Sequence, residues 1–330
     1  MRNHRVSLQD IATLSGVTKM TVSRYLRNPR QVSSETRSKI HEVMQAIEYN
    51  IDASESTLPQ QKTRTIGLLI PTFKSAVFSD ILKGLGHVMQ HSCFKLTISE
   101  YHSSLDEEEK QIISMLSSDI EGIILSESSH SLKAMCYLQA TRLPIVEMMD
   151  STSPRIDCAI GFDNKRAAFE MVNAMISAGK RNICYISTYC DYRDQLRFSG
   201  YQDAVVAHGL ASHRMTPDRM SSSLLGAELC QQALMANPRT DGFFCINDDL
   251  AVGVLFECLK RGYRIPQDMA VAGFHGLDIG KAVTPLLASV ITPRWEMGRL
   301  AGEMITSKIK NIETETCLDV GFNIFLGETV

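Results

Sequence analysis

The sequence predicts an α/β protein: a small all-helical N-terminal segment, then a larger core of two doubly wound subdomains, each built on a parallel sheet. Three observations carry this expectation. Over residues 1–49 apolar positions recur at helical spacing, punctuated by helix-capping residues and a glycine stop. From residue 64 onward, short apolar runs alternate with helical stretches, the pattern of right-handed crossovers in parallel sheets. The chain has 330 residues, 44% hydrophobic and 22% charged, which is enough apolar material for more than one core.

Taken in order, Ser7 is placed to cap a first helix whose inner face is Leu8, Ile11, Ala12 and Leu14. Gly16 follows where a helix stops in a left-handed turn. Thr18 caps a second helix, Lys19 to about Leu26, with Val17, Val22 and Leu26 inward. Ser33 or Ser34 caps a third, with Ile40, Val43 and Ile47 inward. Small Ala12 lets two helices approach closely. Helix, glycine turn, helix at this spacing is a helix-turn-helix. Residues 50–63, rich in Ser, Gln and acids, read as a linker or a conditional short helix. Strands are expected over 65–70, 95–101, 122–126, 144–149, 158–162, 183–187, 242–246, 270–274, 288–292 and 318–324. Helices are expected over 76–91, 106–117, 131–140, 164–178, 193–208, 223–236, 248–261 and 294–310. Ten strands exceed one small sheet, so the series is divided near 160, where Phe162-Asp163-Asn164 opens a second set.

The formal net charge of −3 argues at first sight against nucleic-acid binding. The average conceals an asymmetry. Residues 1–39 carry eight basic side chains against Asp10 and Glu35, a surplus of +6, and the chain beyond residue 62 carries −6. A helix-turn-helix places its second helix in the major groove with its first residues at base edges. Lys19 can donate to guanine or a phosphate, Met20 and the Thr21 methyl can meet a thymine methyl, and Arg24 reaches a base or phosphate one turn on. Ser7, Thr18, Ser23 and Asn28 are suited to phosphate contacts, which position the domain without reading sequence.

The run LQDIATLSGVTKMTVSRYL strongly resembles the DNA-binding headpiece of LacI/GalR-type bacterial repressors. The resemblance continues through RFSGY, FCINDDLAVG, VAGFHG and LASVITPR. VTKMTVSRYLRNP, GFDN, FCINDDLAVG and AGFHGLDIG look most like the gluconate/L-idonate regulators of that family. The resemblance implies a headpiece (1–49), a hinge (50–63) and a core (64–330) shaped like a periplasmic sugar-binding protein. The expected subdomains are 64–160 with 293–316, and 161–292 with 317–330. The hinge departs from the family pattern. Tyr49 is present, Asp52 can cap a short helix, and Leu58 stands where a minor-groove wedge leucine belongs, but Glu55 meets the negative potential of the groove.

Ligands of open parallel sheets bind at the carboxyl ends of strands. Thr72 and Lys74 follow the first expected core strand, Asp163 and Asn164 the fifth, Asn247 and Asp248 follow GFFCI, and His275 follows AVAGF. By resemblance, Arg197 grips ligand oxygens, and the Asp163/Asn164 and Asn247/Asp248 positions lie at the cleft. Asp and Asn at these places are also the residue types that cap helices. Sugar-binding relatives commonly carry Asp where this chain has His275. A histidine does not repel an anion and, if protonated, attracts one. With Arg197 and Lys74 it points to a sugar acid such as gluconate, idonate or a ketogluconate.

Other chemistries find little support. The nine cysteines are scattered without C-x-x-C, and read as buried free thiols. His87 and His91 stand at i, i+4 without an acidic partner motif, so no metal is expected. No P-loop, G-x-S-x-G or G-x-G-x-x-G follows a strand, so neither an enzyme nor a cofactor is expected. A soluble sugar-acid receptor or enzyme with a helical extension is the alternative, weakened by the lack of a secretory h-region or a catalytic constellation. The expectation is a cytoplasmic regulator, a repressor by the resemblance, with no membrane segment. It would be a homodimer on a pseudo-palindromic DNA operator, without the leucine-heptad tail of some tetrameric relatives.

Overall fold

The computed structural model describes residues 8–46, 64–188 and 191–330. It divides into two units, Met1–Thr63 and Arg64–Val330.

In the first unit α1 (Leu8–Ser15), α2 (Lys19–Arg27) and α3 (Ser34–Ala46) enclose Ile11, Ala12, Val22, Tyr25, Ile40 and Met44. Leu8, Val17, Leu26, Val32 and Val43 pack around them. Gly16 takes φ +67°, and the Val17 N–H donates to Ala12 O at 3.0 Å, closing α1 as a left-handed stop. Thr18 Oγ1 accepts from Thr21 N at 3.2 Å, and Ser33 Oγ accepts from Thr36 N at 3.3 Å. Leu14 does not join this core: it is 61% exposed. It lies about 110° round the helix from the Leu8, Ile11, Ala12 and Ser15 stripe. Tyr25 and Met44 complete the core instead. Ser7 and the hinge, Leu58 included, lie outside the described residues.

The second unit holds two six-stranded sheets. The first contains β1 (Arg64–Ile70), β2 (Phe94–Glu100), β3 (Ile120–Leu125), β4 (Ile145–Met148), β5 (Cys158–Gly161) and β11 (Cys317–Asp319). Their order is β11-β5-β4-β3-β1-β2, parallel throughout. Between them run α4 (Ala76–Gln90), α5 (Leu105–Leu116) and α6 (Leu132–Ala140), and α12 (Arg294–Ile309) returns to pack on α4. A Cβ on Gly84 would strike the Trp295 carbonyl and one on Gly298 the Ile81 carbonyl, so α4 and α12 cross backbone to backbone.

The second sheet contains β6 (Ile183–Ile186), β7 (His213–Met215), β8 (Gly242–Cys245), β9 (Ala270–His275), β10 (Ala288–Ile291) and β12 (Asn323–Phe325). Its order is β12-β10-β9-β8-β6-β7, with only β12 antiparallel. Helices α7 (Asn164–Ser177), α8 (Tyr192–Ala207), α9 (Ser223–Ala236), α10 (Asp248–Lys260) and the short α11 (Asp278–Ala282) connect these strands. The inner strands β5, β6, β8 and β9 are continuously buried, as parallel strands covered on both faces must be, while the edge strands are partly exposed.

Three expectations are corrected. The single strand anticipated over 318–324 is two strands in different sheets: Gly321 at φ +66° breaks the run, and its N–H is held by Asp319 Oδ1 at 2.9 Å. β11 therefore belongs with the first sheet through β5, and the last crossing between subdomains follows Asp319 rather than residue 316. Both β7 and α11 went unanticipated, being too short to show a period. Not every thiol is buried, since Cys136 is exposed.

Candidate functional site

Two surfaces carry chemistry, one in each unit. On α2 the buried side is Val22 and Tyr25, which turns Lys19, Met20 and Arg24 to solvent. Met20 is 72% exposed, a large apolar side chain with no intramolecular packing to explain it. No hydrogen bond or ion pair commits Lys19 or Arg24 among the described residues. The polar neighbours are partly occupied. Thr18 caps the helix and shares a 2.8 Å hydroxyl contact with Thr21. Ser23 accepts from Arg27 Nη2 at 3.3 Å, and Asn28 accepts from Arg30 N at 3.1 Å.

The second surface is a cleft between the two subdomains of the core. In each sheet the strand order reverses beside the first strand of its series, between β1 and β3 and between β6 and β8. Crossover loops diverge at such a switch point and leave a crevice at the carboxyl ends of the strands. The two crevices face each other across a cavity of about 210 Å³. Thr72, Lys74, Arg197, Asn247 and His275 line it. Three anticipated residues do not. Asp163 caps α7, accepting from Arg166 N at 2.8 Å. Asn164 is fully buried, donates to Met149 O at 2.7 Å and accepts from Arg197 Nε at 2.9 Å, so it positions Arg197. Asp248 is also buried, accepting from Ser289 Oγ at 2.7 Å and Leu277 N at 2.5 Å, and so ties α10 to β10 and to the segment after β9. Its neighbour Asp249 lines the cavity instead.

The electrostatics of the cleft follow from burial. Arg197 is 5% exposed, gives Nη1 to Ile246 O at 3.0 Å and lies 3.9 Å over the Phe274 ring. Desolvation, then the neighbouring Arg193 charge, lowers it to about 10. No carboxylate forms an ion pair with it among the described residues. Burial likewise drives the His275 imidazole well below its usual range, with Arg197, Arg294 and Arg193 adding to the effect. Burial thus disfavours the charged imidazole, so the protonated form that would attract an anion is not the one this environment favours. His275 sits at φ +92°, an uncommon conformation for a side chain of this size. Its Nδ1 lies 3.2 Å from Thr292 Oγ1, and its carbonyl accepts from Arg294.

Several lining residues were not anticipated, among them Arg193, Asp191, Ser221 and Asp249. Arg193 was within reach of the sequence: with Arg197 it stands at i, i+4 on α8, which puts both guanidinium groups on one helix face. Asp249 was not, because which of two adjacent acids at a helix start turns inward depends on the roll of that helix.

Residues 63–323 match the family model described as periplasmic binding proteins and sugar binding domain of LacI family, and residues 7–51 that described as bacterial regulatory proteins, lacI family. The chain is 45% identical over 332 residues to the HTH-type transcriptional regulator IdnR of Escherichia coli K12, covering 100% of both. It is 40% identical over 331 residues to the HTH-type transcriptional regulator GntR of the same organism, again covering 100% of both. A crystal structure of a LacI family transcriptional regulator from Silicibacter pomeroyi superposes with a TM-score of 0.81 at 29% identity, covering 98% of this chain and 99% of that one.

Proposed function

The chain belongs to the LacI family of bacterial regulatory proteins, and from that premise we propose that it represses sugar-acid catabolism genes under the control of a sugar acid bound in the cleft. As a member of that family it is a DNA-binding transcription regulator and not an enzyme. Family members bind operators and small-molecule effectors and are usually dimers. No helix among the described residues is long and apolar enough to cross a membrane.

The observation that carries the effector reading is Arg197, buried beside a second arginine and a histidine whose charged form burial disfavours, and paired with no carboxylate among the described residues. A buried guanidinium without an anion is costly, and an incoming carboxylate offsets that cost. The hydroxyls of a polyol find Asn247, Asp249, Ser221 and Thr72 on the same walls. The names of the relatives IdnR and GntR agree with gluconate, idonate or a ketogluconate as effector. Cleft closure changes the spacing of two hinges in a homodimer, and effector and DNA alter each other's affinity equally.

On DNA, Lys19, Met20, Thr21 and Arg24 read base edges, while Ser7, Thr18, Ser23 and Asn28 hold phosphates and Leu58 wedges the minor groove between two half-sites of a pseudo-palindrome. The protein thus acts in the cytoplasm on the chromosome. The test is a thermal-shift screen with gluconate, idonate, 5-ketogluconate and neutral hexoses, followed by salt-dependent gel shifts. Stabilisation by sugar acids alone is the expected result. Stabilisation by neutral hexoses alone overturns the effector reading, and failure to bind any palindromic site at low salt overturns the operator reading.

A further inference from the structure

Arg193 opens α8 from the second subdomain, is 8% exposed and forms part of the cavity wall. Its Nη2 donates across the cleft to Glu127 Oε1 at 2.5 Å and lies 3.6 Å from Asp191 Oδ2. Glu127 follows β3 in the first subdomain and also accepts from Tyr101 Oη at 2.5 Å. Among the described residues, the acceptors of this guanidinium therefore sit on one nitrogen. Its Nε is buried and has no acceptor among the described residues. A guanidinium carries five N–H donors, and a buried one left without an acceptor is destabilising until something fills it.

We propose that Arg193 is the residue that makes this cleft selective for an anion: its N–H groups not claimed by described residues take a carboxylate oxygen of the effector, and Glu127, bonded to Nη2, restrains how strongly they do so. This rests on the reading of the cleft as a sugar-acid site. Arg197 contributes charge but fewer free donors, because Asn164, Ile246 and the Phe274 ring already engage it. Glu127 faces Arg193 and Asp191 from the second subdomain, and Tyr101 and Glu108 from its own. It is the negative charge an incoming carboxylate must compete with for Arg193. The pair is thus both an anion anchor and a strut between subdomains, and these two roles predict opposite responses to neutralising its two ends.

The experiment is calorimetry on the full-length protein with gluconate and with glucitol, which keeps the hydroxyls and lacks the charge. R193Q is expected to weaken gluconate at least about tenfold and leave glucitol within about twofold. E127Q keeps an acceptor for Arg193, removes the competing charge and is expected to tighten gluconate severalfold. R193K and the neutral pair E127Q/R193Q guard against a folding defect from a stranded Glu127, with R193K restoring part of the selectivity and the double variant none. Equal loss of both ligands in R193Q, unchanged selectivity in R193Q, or an E127Q loss matching that of R193Q makes the pair a strut only and overturns the assignment. A wild type that does not prefer gluconate over glucitol removes the sugar-acid reading and this assignment with it; a preference that survives in R193Q removes this assignment alone.

Discussion

On α2, Lys19 and Arg24 stand in solvent with no carboxylate committed to them among the described residues. In the cleft, Arg197 is desolvated, stacked on Phe274 and held by two acceptors before any ligand arrives. Both are cationic surfaces, one solvated and one desolvated. An exposed cation costs little to maintain, adapts to its partner and is screened by salt. A buried cation is preorganised, screened little, and discriminates strongly because the wrong ligand leaves it unsatisfied. The first arrangement suits a long polyanion searched along its length, and the second a single small molecule enclosed on several sides.

Arg197→Ala is the sharpest way to break the contrast. It is expected to lower effector affinity about a hundredfold, from charge-assisted hydrogen bonds worth about 1.5–3 kcal/mol each, while operator binding without effector stays intact. Calorimetry beside gel shifts reads both; a protein that no longer folds would make Arg197 structural. Lys19→Ala and Met20→Ala act at the other surface. Each is expected to change preference among variant half-sites by about 1–3 kcal/mol at one base pair, measured by competition binding. Uniform weakening across sites, with a shallower salt slope, would reduce Lys19 to a phosphate contact.

A third test separates the buried from the exposed by pH. Burial raises the Asp248 carboxyl to about 7, against the pull of Ser289 and Leu277. Its folded value lies above the unfolded one, so the folded protein holds a proton that the unfolded chain releases between about pH 4 and 7. The stability contributed by this group is present below that window, falls across it, and is flat above. Asp248→Asn is expected to reduce the slope of unfolding free energy over that range. Equal slopes in denaturant titrations would show Asp248 ionised throughout. The smallest effect is expected from Thr18→Ala, which removes the cap on α2. It should cost about 1 kcal/mol of headpiece stability, seen in thermal unfolding, with DNA affinity falling modestly and operator preference unchanged.

The long core helices and buried strands were legible because their periods run over many residues and their caps are explicit, as Asp163 and Asn247 illustrate. β7 was not, since three residues at a sheet edge carry no alternation. The lining of the cavity was legible where it follows from position at a strand end, as with Thr72, Lys74 and Asn247. It was misread where the role depends on the side chain's direction. Asp248 and Asp249 are chemically identical neighbours, one tied to β10 and the other facing the cavity.

The sequence by itself determined the helix-turn-helix, the alternation that builds two parallel sheets, the uneven charge and the arginine on α8, because these are local patterns of spacing and residue type. Only the tertiary structure decided that burial disfavours a charged His275, that Asp248 is a buried tie, that residues 317–325 divide between two sheets and that Arg193 reaches Glu127 across the cleft. Each of these depends on which groups from distant segments share one desolvated volume. Burial and neighbouring charge set protonation and pairing there, and neither is a property of any stretch of chain taken alone.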